Sequence, residues 1–285
     1  MKRSRLPIQG ILLMLGASLS FAAMAAATKL VSKRLPASEI VFVRSLIASF
    51  IVAYLVSKTR SSWVGKEPKI LAARGVVGFT AMILYFWCLS QLDLGTAVML
   101  NYTSPLFAVV AARFVLREKI GRPIQAAILL SFTGVYLLAA PQFHLKPAPL
   151  IAGLLSGFLV GVVHLLIRSS HEEEVPLTII LYFTVISTIG SGFLLFQTGF
   201  PLPTAKEWLW LLVITVTSLL GQFGLTHSLR SASVSVVSPF GYLTPVFGLL
   251  LGWWIWHEAP APGALLGGAL IILSGLAMVR YHTSI

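Results

Sequence analysis

Arg44 is the only cation that the sequence places well within an apolar run. A guanidinium in hydrocarbon costs roughly 3 kcal/mol unless it is paired or hydrated. No carboxylate stands one turn away on its own helix, since Glu39 is five residues back. A partner must come from another helix or from an anionic substrate, unless Arg44 snorkels to a surface about 7 to 8 Å away. His164 and His227 lie near the ends of two other apolar runs, and an imidazole there titrates near neutral pH or donates a hydrogen bond to a solute. The uncharged polar groups at mid-run depth are Asn101, Tyr102, Ser104, Gln222, Ser238 and Tyr242. Tyr85 and Trp87 add aromatic faces with polar edges, which suit amphipathic organic solutes. With Arg44 and His164 these make the candidate solute-binding set. Pro105 and Pro245 each lack an amide hydrogen and free the carbonyl four residues earlier, on Asn101 and Gly241. Pro105, Pro245 and Gly241 are therefore candidate hinge residues, the alternative being that the prolines only shape the bundle.

The same inventory speaks against catalysis. There is no Gly-x-x-x-x-Gly-Lys-Ser/Thr loop to cradle phosphates, and no Ser/His/Asp set in which a nucleophile could be organised. The histidines have no companions at metal-ligand spacing, and the lone Cys88 lies in an apolar stretch where it can form no internal disulfide. No enzyme activity, metal or cofactor is expected.

The elements that must position these residues follow from composition. Of the 285 residues 57% are hydrophobic and only 11% are charged, with a mean hydropathy of +0.89, against roughly a quarter charged in a soluble domain. Nine acidic residues cannot make a water-facing shell, which excludes an ordinary cytosolic enzyme and a disordered chain. The net charge of +12 sits at the ends of apolar runs rather than on one face, so it points to anionic membrane lipid and not to nucleic acid. Crossing about 30 Å of hydrocarbon takes around 20 apolar residues. Runs of that kind fall at 8–28, 40–57, 70–90, 94–114, 123–140, 149–167, 177–197, 208–228, 232–256 and 262–280. The sequence predicts an all-α integral membrane protein with ten transmembrane helices, because an open sheet would leave backbone groups unpaired in lipid. Among the loops between them are the segments 141–149 and 201–206, punctuated by proline.

Orientation follows from the Lys and Arg count. With the N-terminus inside, Lys2, Arg3, Arg5, Lys58, Arg60, Lys66, Lys69, Arg74, Arg113, Arg117, Lys119, Arg122, Arg168, Arg230 and Arg280 lie on the inner side. Lys29, Lys33, Arg34, Lys146 and Lys206 lie on the outer side. Fifteen against five puts both termini in the cytoplasm. The first run could be mistaken for a cleavable leader, but it is long for one, and its removal would spoil the repeat described next.

Sliding the chain by 140 residues superposes Tyr102 on Tyr242, Pro105 on Pro245, Phe107 on Phe247 and Glu118 on Glu258. This is a duplicated five-helix unit, residues 1–142 and 149–285. Five being odd, the second copy enters the membrane from the opposite side, and the halves become inverted repeats about an axis in the membrane plane. Glu118 and Glu258 are expected to favour the N-terminal dipoles of the fifth and tenth spans. Gly153, Gly157 and Gly161 form a smooth stripe for close helix contact.

The segment from Tyr102 through Pro105, followed by Arg117-Glu118-Lys119 and a helix containing Gly134, resembles the repeat signature of the drug/metabolite transporter superfamily, EamA type. Its echo is Tyr242 through Pro245, then His257-Glu258 and Gly275, and the stretches Glu39 to Arg44 and Glu174 to Pro176 are similar too. The resemblance implies a central cavity lined by spans 1 to 4 and 6 to 9, with spans 5 and 10 as scaffold. It also implies a monomeric secondary transporter of amino acids or related metabolites in the cytoplasmic membrane. All nine acids fall at span ends or in loops, which argues against a carboxylate proton relay and leaves His164 as the group to carry any coupled proton. A reporter fused after Ile285 is expected to be active only when it is one that works in the cytoplasm; periplasmic activity would reverse the topology.

Overall fold

The computed structural model describes residues 7–104, 106–107, 122–143, 147–169, 175–231 and 240–282. Among them are ten helices and no strand: α1 (Pro7–Val31), α2 (Ala37–Lys58), α3 (Pro68–Gln91), α4 (Leu94–Asn101), α5 (Arg122–Phe143), α6 (Pro147–Ser169), α7 (Pro176–Thr198), α8 (Ala205–Ser231), α9 (Leu243–Trp256) and α10 (Pro262–His282). Six of them, α1, α2, α3, α6, α7 and α8, are long and apolar enough to cross a membrane. Pro68, Pro147, Pro176 and Pro262 each open a helix, where a residue without an N–H forgoes no intrahelical bond. Pro141, which the sequence places in a loop, lies inside α5, so that connection is shorter than expected.

Two of the expected spans are interrupted. Regular helix stops at Asn101, with Tyr102 and Thr103 in a turn, and a second turn at Tyr242 precedes α9. These positions are the symmetry mates of the 140-residue repeat. Pro105 itself lies outside the described residues, while Pro245 is buried in the first turn of α9.

The helices pack across the repeat rather than within it. The leading partnerships are α1 with α8, α3 with α6, α2 with α7, α5 with α10 and α4 with α9. Lesser ones join α1 to α9, α4 to α6, α2 to α8 and α3 to α7. Replacing each helix by its counterpart five places along maps this set onto itself. Each long helix therefore takes its principal partner from the other half, and one apolar cluster runs through both, from Val31 and Phe86 to Leu150, Leu211 and Ile271. The outside is apolar as well, with Phe196 91% exposed and Phe50, Leu129 and Trp254 largely so. A water-soluble monomer does not carry such a continuous patch. Buried hydroxyls on Thr28 and Thr215 turn back to carbonyls on their own helices, which satisfies them without a neighbour.

Glycine makes the closest crossings possible. A Cβ on Gly153 would meet the Leu100 side chain and the Cys88 sulfur at 2.8 and 2.9 Å. On Gly157 it would meet the Thr103 hydroxyl at 2.5 Å and the Leu100 carbonyl at 2.7 Å. Gly157 thus seats α6 against the backbone at the α4 break, and Gly157→Ala is expected to destabilise the protein by about 1 to 3 kcal/mol through overpacking. Gly16→Ala, whose new Cβ meets nothing within 4 Å, should leave the melting temperature unchanged or slightly raised. Thermal unfolding of the two variants in the same detergent checks the pair; equal melting temperatures would contradict it.

Candidate functional site

The two helix breaks meet at the centre. The Tyr102 hydroxyl donates to the Thr244 hydroxyl at 2.7 Å, and the rings of Tyr102 and Tyr242 stand edge to face with centroids 6.5 Å apart. Side chains from neighbouring helices reach in around them. The Ser18 hydroxyl of α1 donates to the carbonyl of Phe240 at 3.0 Å and reaches that of Gly241 at 3.5 Å, the carbonyl that Pro245 leaves without its helical donor. The Asn101 amide donates to the Ser156 hydroxyl of α6 at 2.7 Å. Gly275 of α10 leaves room for the Tyr242 hydroxyl. The Tyr102, Ser18 and Asn101 bonds join opposite halves, unlike the self-satisfied hydroxyls of Thr28 and Thr215.

A second group lies where α2, α3, α7 and α8 converge. Arg44, 3% exposed, donates from Nε to the Ser218 hydroxyl at 3.1 Å and from Nη1 to the Met82 sulfur at 2.9 Å. Arg74, 8% exposed, donates to the Ile179 carbonyl at 3.3 Å, and its Nε is buried without a partner. Both guanidinium groups sit over the Phe183 ring, at 5.5 and 4.8 Å from its centroid, and Gly78 makes room for that ring with a hypothetical Cβ at 3.1 Å. Arg74 is also within electrostatic reach of Arg44 and of His164, and His164 is exposed on α6. A cation over an aromatic face recovers about 0.5 to 2 kcal/mol, and a serine hydrogen bond about 1. Against roughly 3 kcal/mol for each buried cation, this leaves Arg74 in particular under-compensated.

Arg74 corrects the sequence reading, which counted it on the inner side near the edge of an apolar run and made Arg44 the sole cation well within one. It is the seventh residue of α3, about 9 Å along the helix axis from its start. Its signal in the sequence was the proline at 68, which sets the helix start ahead of the apolar run. Phe183, Ser218 and Ser18 carried no signal at all, because their roles come from neighbours on other helices.

The remaining candidates are scattered. Tyr85 is buried with its ring 6.1 Å from that of Phe86, whereas Trp87 is 39% exposed. Ser104 is buried, Gln222 is half-buried and His227 is exposed. Ser238 lies outside the described residues. Glu39, at the first turn of α2, is fully buried with neither carboxylate oxygen partnered; an acid at a span end need not be in water.

One end of the bundle is cross-tied. α9 terminates on His257 in the left-handed region, φ 56°, and the turn carries Glu258 back toward α4. There one carboxylate oxygen accepts the Leu94 N–H at 2.8 Å and the other pairs with Lys29. Lys29 also donates to the Leu92 carbonyl at 2.9 Å and lies over the Trp256 ring. Glu258 thus serves a helix N-terminus as expected, but that of α4 rather than α10. Gly252 leaves space for the carboxylate, which lies 3.0 Å from where a Cβ would be. Beside it, Thr204 and Glu207 form a capping box at the start of α8, and Glu207 pairs with Arg34, raising the pKa of that exposed guanidinium. Both ion pairs join the α1–α2 corner to the second half.

Apolar helices with an apolar exterior, interlocked about a polar centre, define a multi-pass membrane protein. The chain belongs to the EamA-like transporter family, whose profile matches it twice, over residues 8–140 and 148–280, and so to the drug/metabolite transporter superfamily. Similar proteins are the pseudopaline exporter of Pseudomonas aeruginosa, 30% identical over 95% of this chain and 96% of that one, and the riboflavin transporter of Vibrio cholerae, 28% identical over 97% and 95%. A solved structure superposes with a TM-score of 0.65 at 18% identity, covering 96% of each chain, which shows the shared fold. The protein is a small-solute transporter, and its family and relatives are carriers rather than enzymes.

If the Lys29–Glu258 pair holds this end shut, Glu258→Gln should free it. Labelling of a Thr96→Cys reporter by a membrane-impermeant maleimide is expected to speed up about fivefold or more over the same reporter beside native Glu258. Equal labelling rates would mean the pair carries none of the closure.

Proposed function

We propose that the protein is a secondary transporter moving amino acids or related metabolites across the cytoplasmic membrane by alternating access, in the direction of export or exchange. In this reading the chain has ten spans, both termini in the cytoplasm, and halves 1–142 and 149–285 related by a two-fold axis in the membrane plane. The observation that carries it is the packing set that maps onto itself when the halves are exchanged. Two inverted copies can interchange conformations, giving inward-open and outward-open states of similar energy. The paired breaks at Tyr102 and Tyr242 supply the bending points, and the cross-tied end at Lys29 and Glu258 is the closed gate. Similarity to a pseudopaline exporter favours export. Similarity to a riboflavin transporter favours a second reading, uptake of one cofactor-type nutrient.

Purified protein reconstituted in liposomes tests the proposal after a thermal-shift screen against a metabolite panel. Labelled hits should appear unchanged inside the vesicles; chemical conversion would mean an enzyme. Pro105→Ala and Pro245→Ala should slow flux while leaving the dissociation constant of the hit in place, and unchanged flux in both singles and the double would return these prolines to a shaping role. An imposed pH gradient should drive no accumulation. If it does, His164→Gln should abolish the effect, and accumulation surviving that change would move the proton to the buried Glu39.

A further inference from the structure

We propose that Arg44 and Arg74, gathered on the Phe183 ring, form the anion subsite of the transport path, and that the transported solute carries a carboxylate. This rests on the transporter reading and names the chemistry of its cargo. Neither arginine makes an ion pair with a carboxylate among the described residues; the pairs of Lys29 with Glu258 and Arg34 with Glu207 lie at the cross-tied end. Glu39 is the acid nearest Arg44 on α2, and its buried oxygens accept no hydrogen bond, so it does not neutralise Arg44. Three buried donors on the converging helices have no hydrogen-bond partner: Arg74 Nε, the Ser45 hydroxyl next to Arg44 in the chain, and the Ser187 hydroxyl. Ser187 lies four residues beyond Phe183, on the same face of α7. A planar carboxylate matches the fork of a guanidinium and accepts from two donors at once, which would satisfy both the charge and the orphaned groups. His164, exposed on α6, lies within electrostatic reach of Arg74.

The placement also couples binding to movement. Arg44 and Arg74 belong to the first half, on α2 and α3, while Phe183, Ser218 and His164 belong to the second, on α7, α8 and α6. An anion held between them draws the halves together and removes the repulsion between two like charges in a medium that screens them poorly.

The test compares matched acids and amides on the purified, full-length protein: succinate with succinamide, L-glutamate with its diamide, and the carboxylate hits of the metabolite panel with their amides. The acids are expected to raise the melting temperature and the amides to leave it where it was. Arg44→Gln and Arg74→Gln should each weaken acid binding roughly tenfold or more, with Arg44→Lys and Arg74→Lys falling between. Hits confined to neutral or cationic solutes, amides that match their acids, or Gln variants that bind acid as the wild type does would each overturn the subsite. The acid–amide comparison on wild type stands even if a variant fails to fold. Liposome flux separates this inference from the reading beneath it. A bound acid that never crosses defeats the transport reading and leaves the subsite standing, whereas a neutral solute that crosses does the reverse.

Discussion

Where water is absent, every backbone N–H and C=O must find its partner inside the protein, and this constraint organises the whole bundle. It admits helices and forbids loose ends, so a helix can be interrupted only where something else serves the freed groups. The two interruptions here, at Tyr102 and Tyr242, face each other across the centre. Ser18 meets the carbonyls at one, and at the other the Thr103 hydroxyl and N–H both donate to the Leu100 carbonyl. The weak points of the two halves are thereby turned toward a shared interior, where a departure from helical regularity can be tolerated and used.

Charge obeys the same rule with larger stakes. At the cross-tied end, Glu258 answers two demands at once, the N-terminal dipole of α4 and the ammonium of Lys29. In the interior, Arg44 and Arg74 have an aromatic ring, a sulfur, a hydroxyl and a carbonyl, but no described carboxylate. For Arg74 these contacts recover less than burial costs, and a guanidinium in that condition suits a ligand of opposite sign. A chain with twenty-one basic and nine acidic residues cannot neutralise its cations from within, and the shortage falls most heavily where solvent is scarcest.

The interlocked packing decides how the halves relate. Because α1 rests on α8 and α3 on α6, neither half assembles a core of its own, and sliding one helix pair obliges the symmetry-related pair to respond. Glycines at the crossings keep these contacts close without locking long side chains together. The fold is thus tightly packed, with matching contacts in the two halves, which is the arrangement that the proposed alternating access would use.

Much of this was legible in the residues. Apolar run length placed the helices, proline marked where several begin, and the 140-residue echo paired Tyr102 with Tyr242 before any contact was known. These are properties of one segment or of two segments compared, and local physics sets them. Arg74 is deeper than the sequence reading put it, because depth was counted from the edge of an apolar run rather than from the helix start at Pro68. The sequence could not say that Glu258 serves α4, that Ser18 meets the Gly241 carbonyl region, or that Phe183 lies beneath two arginines. Each of those depends on which helix stands beside which, and only the tertiary packing brings residues more than a hundred positions apart within hydrogen-bonding distance.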